Sequence, residues 1–381
     1  MKVLAMIDSF KGSITSNEAA KAALAGVRRA YAGEEIGTFS LPLADGGEGT
    51  VEALVSGLGG RFVSVEVTGP LGKKTDAVYG IIKGDTAVME MSAAAGITLV
   101  SPEERNPMRT TTYGVGEMIR DAIFRGVRKF IIGIGGSATN DGGTGMLCAL
   151  GFGFFDSEGA PISQGAEGLE SLARITTDGA MPELSECEFR IACDVGNPLC
   201  GANGCSAVYG PQKGATPEMV KAMDSWLDSY ARQSRLVFAN ADPEYPGTGA
   251  AGGLGFAFLS YLNGKLMPGV SLVLDAVGAE EKIMSADIVI TGEGRLDGQS
   301  ANGKAPVGVA RLAKKHGKTV VAFSGSVKED ARLLNGEGID AYFPILQKIT
   351  TLEEAMDKST AQENLERAAE QAFRLIRAMG R

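Results

Sequence analysis

Apolar residues run without a break from Val3 to Ile7 and stop at Asp8, which predicts a buried strand over Lys2–Asp8. After the polar turn Ser9–Ile14, the pair Thr15 and Glu18 has capping-box spacing and predicts a helix from Ser16 to about Tyr31. A second strand over Glu35–Leu41, the loop Ala44–Gly49 and a helix over Thr50–Leu58 repeat the unit. Two successive β-loop-α units open a parallel α/β sheet. From Arg61 the pattern changes to strand-like runs over Arg61–Thr68, Asp76–Ile82 and Thr86–Met91 with short turns between them, the mark of a meander or mixed sheet. Further on, the chain reads as a helix over Thr112–Arg125, strands over Lys129–Ile134 and Phe189–Asp194, and helices over Thr216–Ala239 and Gly252–Leu262. The α/β pattern returns with strands over Ala286–Thr291, Thr319–Ser324 and Ala341–Leu346, a helix over about Lys304–Lys315, and a final amphipathic helix over Leu352–Met379. Residues 1–62 and 286–381 are therefore expected to form one doubly wound domain, with residues 63–285 inserted as a second.

Composition narrows this picture. With 44% hydrophobic and 22% charged residues over 381 positions, the chain has the make-up of a globular protein with a large core. Glycine, at 53 residues, is about twice as frequent as usual, without any collagen-like period. Such glycines serve tight turns and close backbone approaches. The 37 basic residues are scattered among 46 acidic ones, for a net charge of -9, which argues against nucleic acid or an anionic membrane as partner. A small anion remains compatible, because a few lysines or helix N-termini suffice to hold it. The N-terminal segment lacks a signal-peptide pattern and no apolar run is long enough to span a bilayer, so a cytoplasmic location is expected. Five cysteines at non-ligand spacings predict reduced thiols and no zinc site. A single histidine, His316, stands at a predicted helix end. That removes Ser-His-Asp, Cys-His and multi-histidine metal chemistry, and leaves carboxylates, lysines, hydroxyls and amides.

Those groups cluster in loops after predicted strands, where an open α/β sheet borders its ligand crevice. The first loop, Asp8–Ser13, carries Ser9 and Lys11. The second, Ala44–Thr50, separates Asp45 and Glu48 with glycines, a pattern suited to binding hydroxyls or a hard cation. The third, Gly133–Gly143, matches the dinucleotide fingerprint at Gly133, Gly135 and Ala138, with Asp156 at the expected interval. Its polar continuation Thr139–Gly143 delays the following helix, which favours a cradle of amides for phosphate over a nicotinamide site. The fourth, Gly292–Lys304, gathers Glu293, Arg295, Asp297 and Lys304; its Gly298, Gly303 and Lys304 imitate a P-loop, but Ala305 stands where that motif needs a hydroxyl. A fifth segment ends a strand at Asp194, with Asn197 nearby and Tyr209–Ala215 following.

Taken in order, the segments Asp8–Ser13, Pro42–Thr50, Gly133–Gly143, Ala192–Leu199, Gly210–Ala215 and Thr291–Ser300 resemble the bacterial glycerate kinases over nearly the whole chain, with Ser300 where that family often has threonine. The resemblance implies ATP-dependent phosphorylation of D-glycerate, usually at the 2-hydroxyl, with Mg²⁺. It also implies a Rossmann-like domain built from both chain ends, an inserted α/β domain with a mixed sheet, and a site in the cleft. Phosphorylation at the 3-hydroxyl is the alternative product, and an NAD(P)-linked hydroxy-acid dehydrogenase the alternative activity; a homodimer is left open. On this reading Ser9, Asp45, Gly46, Gly47, Glu48, Asn140, Asp141 and Asn197 are assigned to glycerate. Gly135, Gly136, Ser137, Thr139, Lys213, Glu293 and Asp297 are assigned to ATP, and Asp194 and Asp141 to the metal. Lys11 and Lys304 are expected to neutralise charge on opposite ligands. Asp194 is expected to orient and deprotonate the hydroxyl, with Asp45, Asp141 and Asp297 as rivals.

Overall fold

The strands of the computed structural model, which describes residues 1–298, 300 and 303–380, are in chain order β1 (Lys2–Ile7), β2 (Gly37–Ser40), β3 (Arg61–Thr68), β4 (Lys74–Ile82), β5 (Thr86–Glu90), β6 (Lys129–Gly133) and β7 (Gly153–Phe155). They continue with β8 (Arg174–Thr176), β9 (Glu188–Ala192), β10 (Lys265–Met267), β11 (Ile288–Leu296), β12 (Thr319–Val327) and β13 (Ala341–Pro344). Gln299, Ala301 and Asn302 of the fourth loop lie outside the described residues.

Two compact units result: one of Met1–Asp45, Glu52–Gly59 and Val270–Arg381, the other of Gly46–Val51 and Gly60–Gly269. The first holds a five-stranded, wholly parallel sheet in the order β13-β12-β11-β1-β2, built from both ends of the chain. Alternation along the strands sends Val3, Ala5, Ile7, Ile290 and Phe323 to one face, where helices Ser16–Ala30 and Lys358–Ala378 cover them. Leu4, Met6, Val289 and Ala322 turn to the other face, which helix Ala305–Lys315 packs against. Helices on both faces make the sheet doubly wound, as the sequence pattern predicts. The capping box forms, Thr15 Oγ1 accepting from the Glu18 amide at 3.3 Å and Glu18 Oε2 from the Thr15 amide at 3.1 Å. Gly26 lets this helix approach Lys358–Ala378 closely, since a Cβ there would collide with the carbonyl of Glu366.

The second unit carries the mixed sheet β10-β9-β6-β5-β4-β3, antiparallel through β3, β4 and β5 and parallel from β5 to β10. Its core runs from Val67 and Tyr79 through Phe130 and Phe189 to Phe256 and Phe258. Several elements differ from the sequence pattern. The final helix is two, Leu352–Met356 and Lys358–Ala378, because Asp357 caps the second by accepting from the Thr360 amide at 2.9 Å. The helix read over Gly252–Leu262 spans Ala250–Leu262, with Ala251, Gly252 and Gly253 in left-handed conformation, so regular winding begins only after them. The small pair β7–β8, the edge strand β10 and helices Thr144–Ala149, Cys205–Tyr209, Gly269–Ala276 and Ala279–Ser285 are additions; each is too short to repeat a hydrophobic pattern more than once or twice. No helix of the described residues is long and apolar enough to cross a membrane.

Candidate active site

Parallel strands aim their C-terminal ends at one edge of a sheet, and each unit has a cavity there. In the first unit β1 hands over to Asp8, whose amide continues the ladder to the Gly292 carbonyl at 2.9 Å. The loop that follows closes on itself through the Phe10 amide to the Ile14 carbonyl and the Ser13 amide to the Phe10 carbonyl, with Gly12 at φ +78 making the turn. The cavity, about 450 Å³, is lined by the polar residues Asp8, Ser9, Lys11, Asp45, Glu293, Arg295, Asp297 and Lys304. Phe10, Ile345, Leu346, Leu352 and Met356 add apolar surface to its lining. Lys11 Nζ stands 3.6 Å from Asp45 Oδ2, Lys328 Nζ stands 3.4 Å from Asp297 Oδ2, and Ser300 Oγ donates to Glu293 Oε1 at 2.6 Å. Lys304 is the N-cap residue of helix Ala305–Lys315.

This acidic grouping changes proton affinities. Burial, then the neighbouring carboxylates Asp45 and Glu293, push Asp8 up to about 7, against the opposing pull of the Ser9 amide and Lys11. Burial also raises Glu293, countered by the Ser300 hydroxyl and Lys304.

In the second unit the ends of β6 and β9 frame a cavity of about 350 Å³. Gly46, Gly47, Gly135, Gly136, Ser137, Asp194, Tyr209 and Lys213 line it. The glycines differ in purpose. Gly46, at φ +89, is packed so tightly that a Cβ would lie 2.6 Å from Gly269 Cα and 2.8 Å from Ala192 Cβ. At Gly135 a Cβ would meet nothing within 4 Å, so the bare backbone there leaves room for a ligand rather than for protein. Among the described residues no acceptor takes a hydrogen bond from the Gly135, Gly136 or Ser137 amides. Three successive amides of this kind form a nest for an anion. Lys213 supports the loop from below: 2% exposed, its Nζ donates to Ser137 Oγ at 2.8 Å and to the Thr139 carbonyl at 2.6 Å. Burial lowers its pKa to about 8, while Cys205 and Asp141 act in the other direction. Asp194 is exposed just after β9, and its Oδ1 accepts from the Gly269 amide at 2.9 Å.

The predicted residues thus separate into two groups that differ from the sequence assignment. Glu293 and Asp297, assigned with the Gly135 loop, line the first cavity together with Ser9, Asp45, Lys11 and Lys304. Lys11 and Lys304, assigned to opposite ligands, line the same cavity. Three polar residues of the Gly133–Gly143 loop do not line the second cavity. Thr139 and Asn140 are fully buried, Asn140 Nδ2 donating to Ser206 Oγ at 2.9 Å. Asp141, also fully buried, accepts from the Thr112 amide and hydroxyl at 2.8 Å each and from the Gly143 and Gly145 amides, which makes it the knot tying this loop to the start of helix Tyr113–Phe124. Burial raises its pKa despite those donors. Asn197 is engaged at both ends, with Asn203 and Tyr209. Glu48 is exposed and lines neither cavity.

Residues not assigned from sequence include Asp8, Arg295 and Glu90. Glu90, at the end of β5, accepts from the Val51 amide at 3.0 Å and so anchors the second loop; its only sequence signal was an acid closing an apolar strand. The same signal marked Asp8. The dinucleotide fingerprint lacks its context, because the next helix begins only at Thr144, after Gly143 at φ +77. His316 ends helix Ala305–Lys315, 2.8 Å from Glu280. Among the described residues no group of three or more His, Cys, Asp or Glu side chains is arranged to hold a metal ion.

Amide cradles, lysines and carboxylates without histidine suit phosphoryl transfer, which depends on positioned charge more than on an imidazole; the fold and its cavities are those of an α/β phosphotransferase. A model of the glycerate kinase family matches residues 3–377. Glycerate kinase of Haemophilus influenzae is 44% identical over 377 residues, covering 99% of each chain, and glycerate 2-kinase of Escherichia coli is 45% identical over 356 residues, covering 93% of each. A crystal structure from Salmonella typhimurium LT2, provisionally assigned as glycerate kinase 2, superposes with a TM-score of 0.91 at 44% identity, covering 100% of this chain and 99% of the other. The chain belongs to the glycerate kinase family.

Proposed function

We propose that the chain transfers the γ-phosphoryl group of ATP to the 2-hydroxyl of D-glycerate, yielding 2-phosphoglycerate and ADP. The observation that carries this reading is kinship along almost the entire chain with glycerate kinases, glycerate 2-kinase of Escherichia coli among them. The amide nest at Gly135–Ser137, with Lys213 behind it, is the natural seat of the ATP phosphates. The acidic and basic cavity of the first unit is suited to glycerate, its carboxylate drawn to Lys11, Arg295 and Lys304.

Mg²⁺ binds through one or two carboxylates together with phosphate oxygens and water, so the lack of a three-acid cluster among the described residues is compatible with it. Asp194, an exposed carboxylate in the cavity of the glycine loop, has the right donor chemistry; Asp141, saturated by four donors, does not. Bound there, the ion would offset charge on the phosphates.

A coupled assay of ADP release with D-glycerate, ATP and Mg²⁺ tests the reaction, with phosphorus NMR of the product. Release that requires all three components and a secondary phosphate ester are expected. A primary ester would make the chain a 3-kinase, and release unaffected by exhaustive chelation would remove Mg²⁺. Methionine at Lys11 or Lys304 keeps the aliphatic stem and deletes the charge. Each variant is expected to raise the KM for glycerate by about tenfold, the value of one charge-assisted hydrogen bond, with the KM for ATP little changed. Unaltered constants in both variants would return these lysines to the solvated surface.

A further inference from the structure

Resting on the glycerate kinase reading, we infer that Asp8 is the catalytic base, taking the proton of the glycerate hydroxyl as its oxygen attacks the γ-phosphorus. In that step the O–H bond breaks toward an Asp8 carboxylate oxygen, a new O–P bond forms, and the bond from the γ-phosphorus to the bridging oxygen breaks to release ADP. Asp8 follows directly on β1, an interior strand flanked by β11 and β2, and its own amide extends the ladder to the Gly292 carbonyl of β11 at 2.9 Å, which fixes its backbone. It is 5% exposed, and that residual exposure opens into the cavity where the carboxylate-binding cations Lys11, Arg295 and Lys304 also lie. Among the described residues the Ser9 amide, 2.7 Å from Oδ1, is the one hydrogen-bond donor to this carboxylate.

Its acidic neighbours are differently engaged. Asp45 faces Lys11, Asp297 faces Lys328, and Glu293 accepts from the Ser300 hydroxyl. A carboxylate buried beside other carboxylates gains basicity. The groups facing Asp8 are Asp45 and Glu293, which raise its proton affinity, and Lys11 and the Ser9 amide, which lower it; burial is the largest influence, and together they bring it to about 7. A base performs best when its affinity matches the working pH. Asp194, by contrast, is exposed and tied to the Gly269 amide, which suits it to orienting charge.

The test is the pH dependence of glycerate phosphorylation between pH 5 and 9 for the wild type, Asp8→Asn and Asp8→Glu. In the wild type kcat/KM should fall on the acid side with a midpoint close to 7. Asp8→Asn should lower kcat by roughly 10² to 10⁴, the usual share of general-base help, with both KM values within a few-fold and the acid limb gone. Asp8→Glu should recover part of kcat and restore an acid limb at a shifted midpoint; this variant carries the test if the asparagine protein does not fold. A loss of less than about fivefold in Asp8→Asn, or an acid limb identical in all active variants, overturns the assignment. A wild-type chain that releases no ADP with glycerate overturns the functional reading itself, and this inference with it.

Discussion

Asparagine in place of Asp194 is expected to cut turnover by roughly 10², or about 2.7 kcal/mol of the stabilisation that a well-held cation contributes to a phosphoryl-transfer transition state, and to raise the Mg²⁺ concentration for half-maximal rate. The substitution is nearly isosteric. Its amide oxygen can still accept from the Gly269 N–H, so the local backbone should survive. What disappears is the negative charge of the one carboxylate among the described residues that line the cavity of the glycine loop, a group that attracts a hard cation. Steady-state rates across a magnesium titration would check this. A change below fivefold with an unaltered magnesium midpoint would move the metal to another group.

Asp8→Asn should also make the protein more stable at alkaline pH. The Asp8 carboxyl rises from 3.8 to about 7 on folding, chiefly through burial and then through Asp45 and Glu293. Between those values the folded chain keeps a proton that the unfolded chain releases, so stability declines as pH rises through that window. Above pH 7 the whole cost of ionising a buried carboxyl is present, about 4 kcal/mol at 1.4 kcal/mol per pH unit. Asparagine carries no such penalty. Its advantage should approach that figure at pH 8 and vanish near pH 4, as measured by urea unfolding at each pH. A pH-independent difference would mean that Asp8 does not titrate in this range.

The doubly wound sheet was legible because its strands are unbroken apolar runs, as in Val3–Ile7 and Ile288–Ile290, and its helices carry full hydrophobic periods. The short helix Thr144–Ala149 and the strand pair Gly153–Phe155 and Arg174–Thr176 were not, since fewer than two turns or four residues hold no period to detect. The loops bearing the site were legible from their glycines and acids. How those residues divide between the two cavities was not, because it depends on pairings between β1 and β11 and between β6 and β9. Asp141 illustrates the limit: its residue type and glycine-rich surroundings look like a ligand site, yet four donors from its own unit consume it. Asp8 illustrates the converse, an ordinary strand-end acid that burial turns into a group titrating near neutrality.

The sheet order has a consequence for synthesis. β1 pairs with β11 over Val3 to Ile7 and Ile288 to Gly292, and the Lys2 amide reaches Asp287 across 285 positions of chain. At about 5 to 20 residues per second, the ribosome needs on the order of 15 to 60 s to deliver that partner. Throughout this interval the most apolar strand of the first unit can pair only with β2, while all the residues of the second unit emerge and can begin to fold. Nascent chains arrested before residue 288 would therefore present Val3–Ile7 as an open strand edge, the kind of surface that chaperones cover.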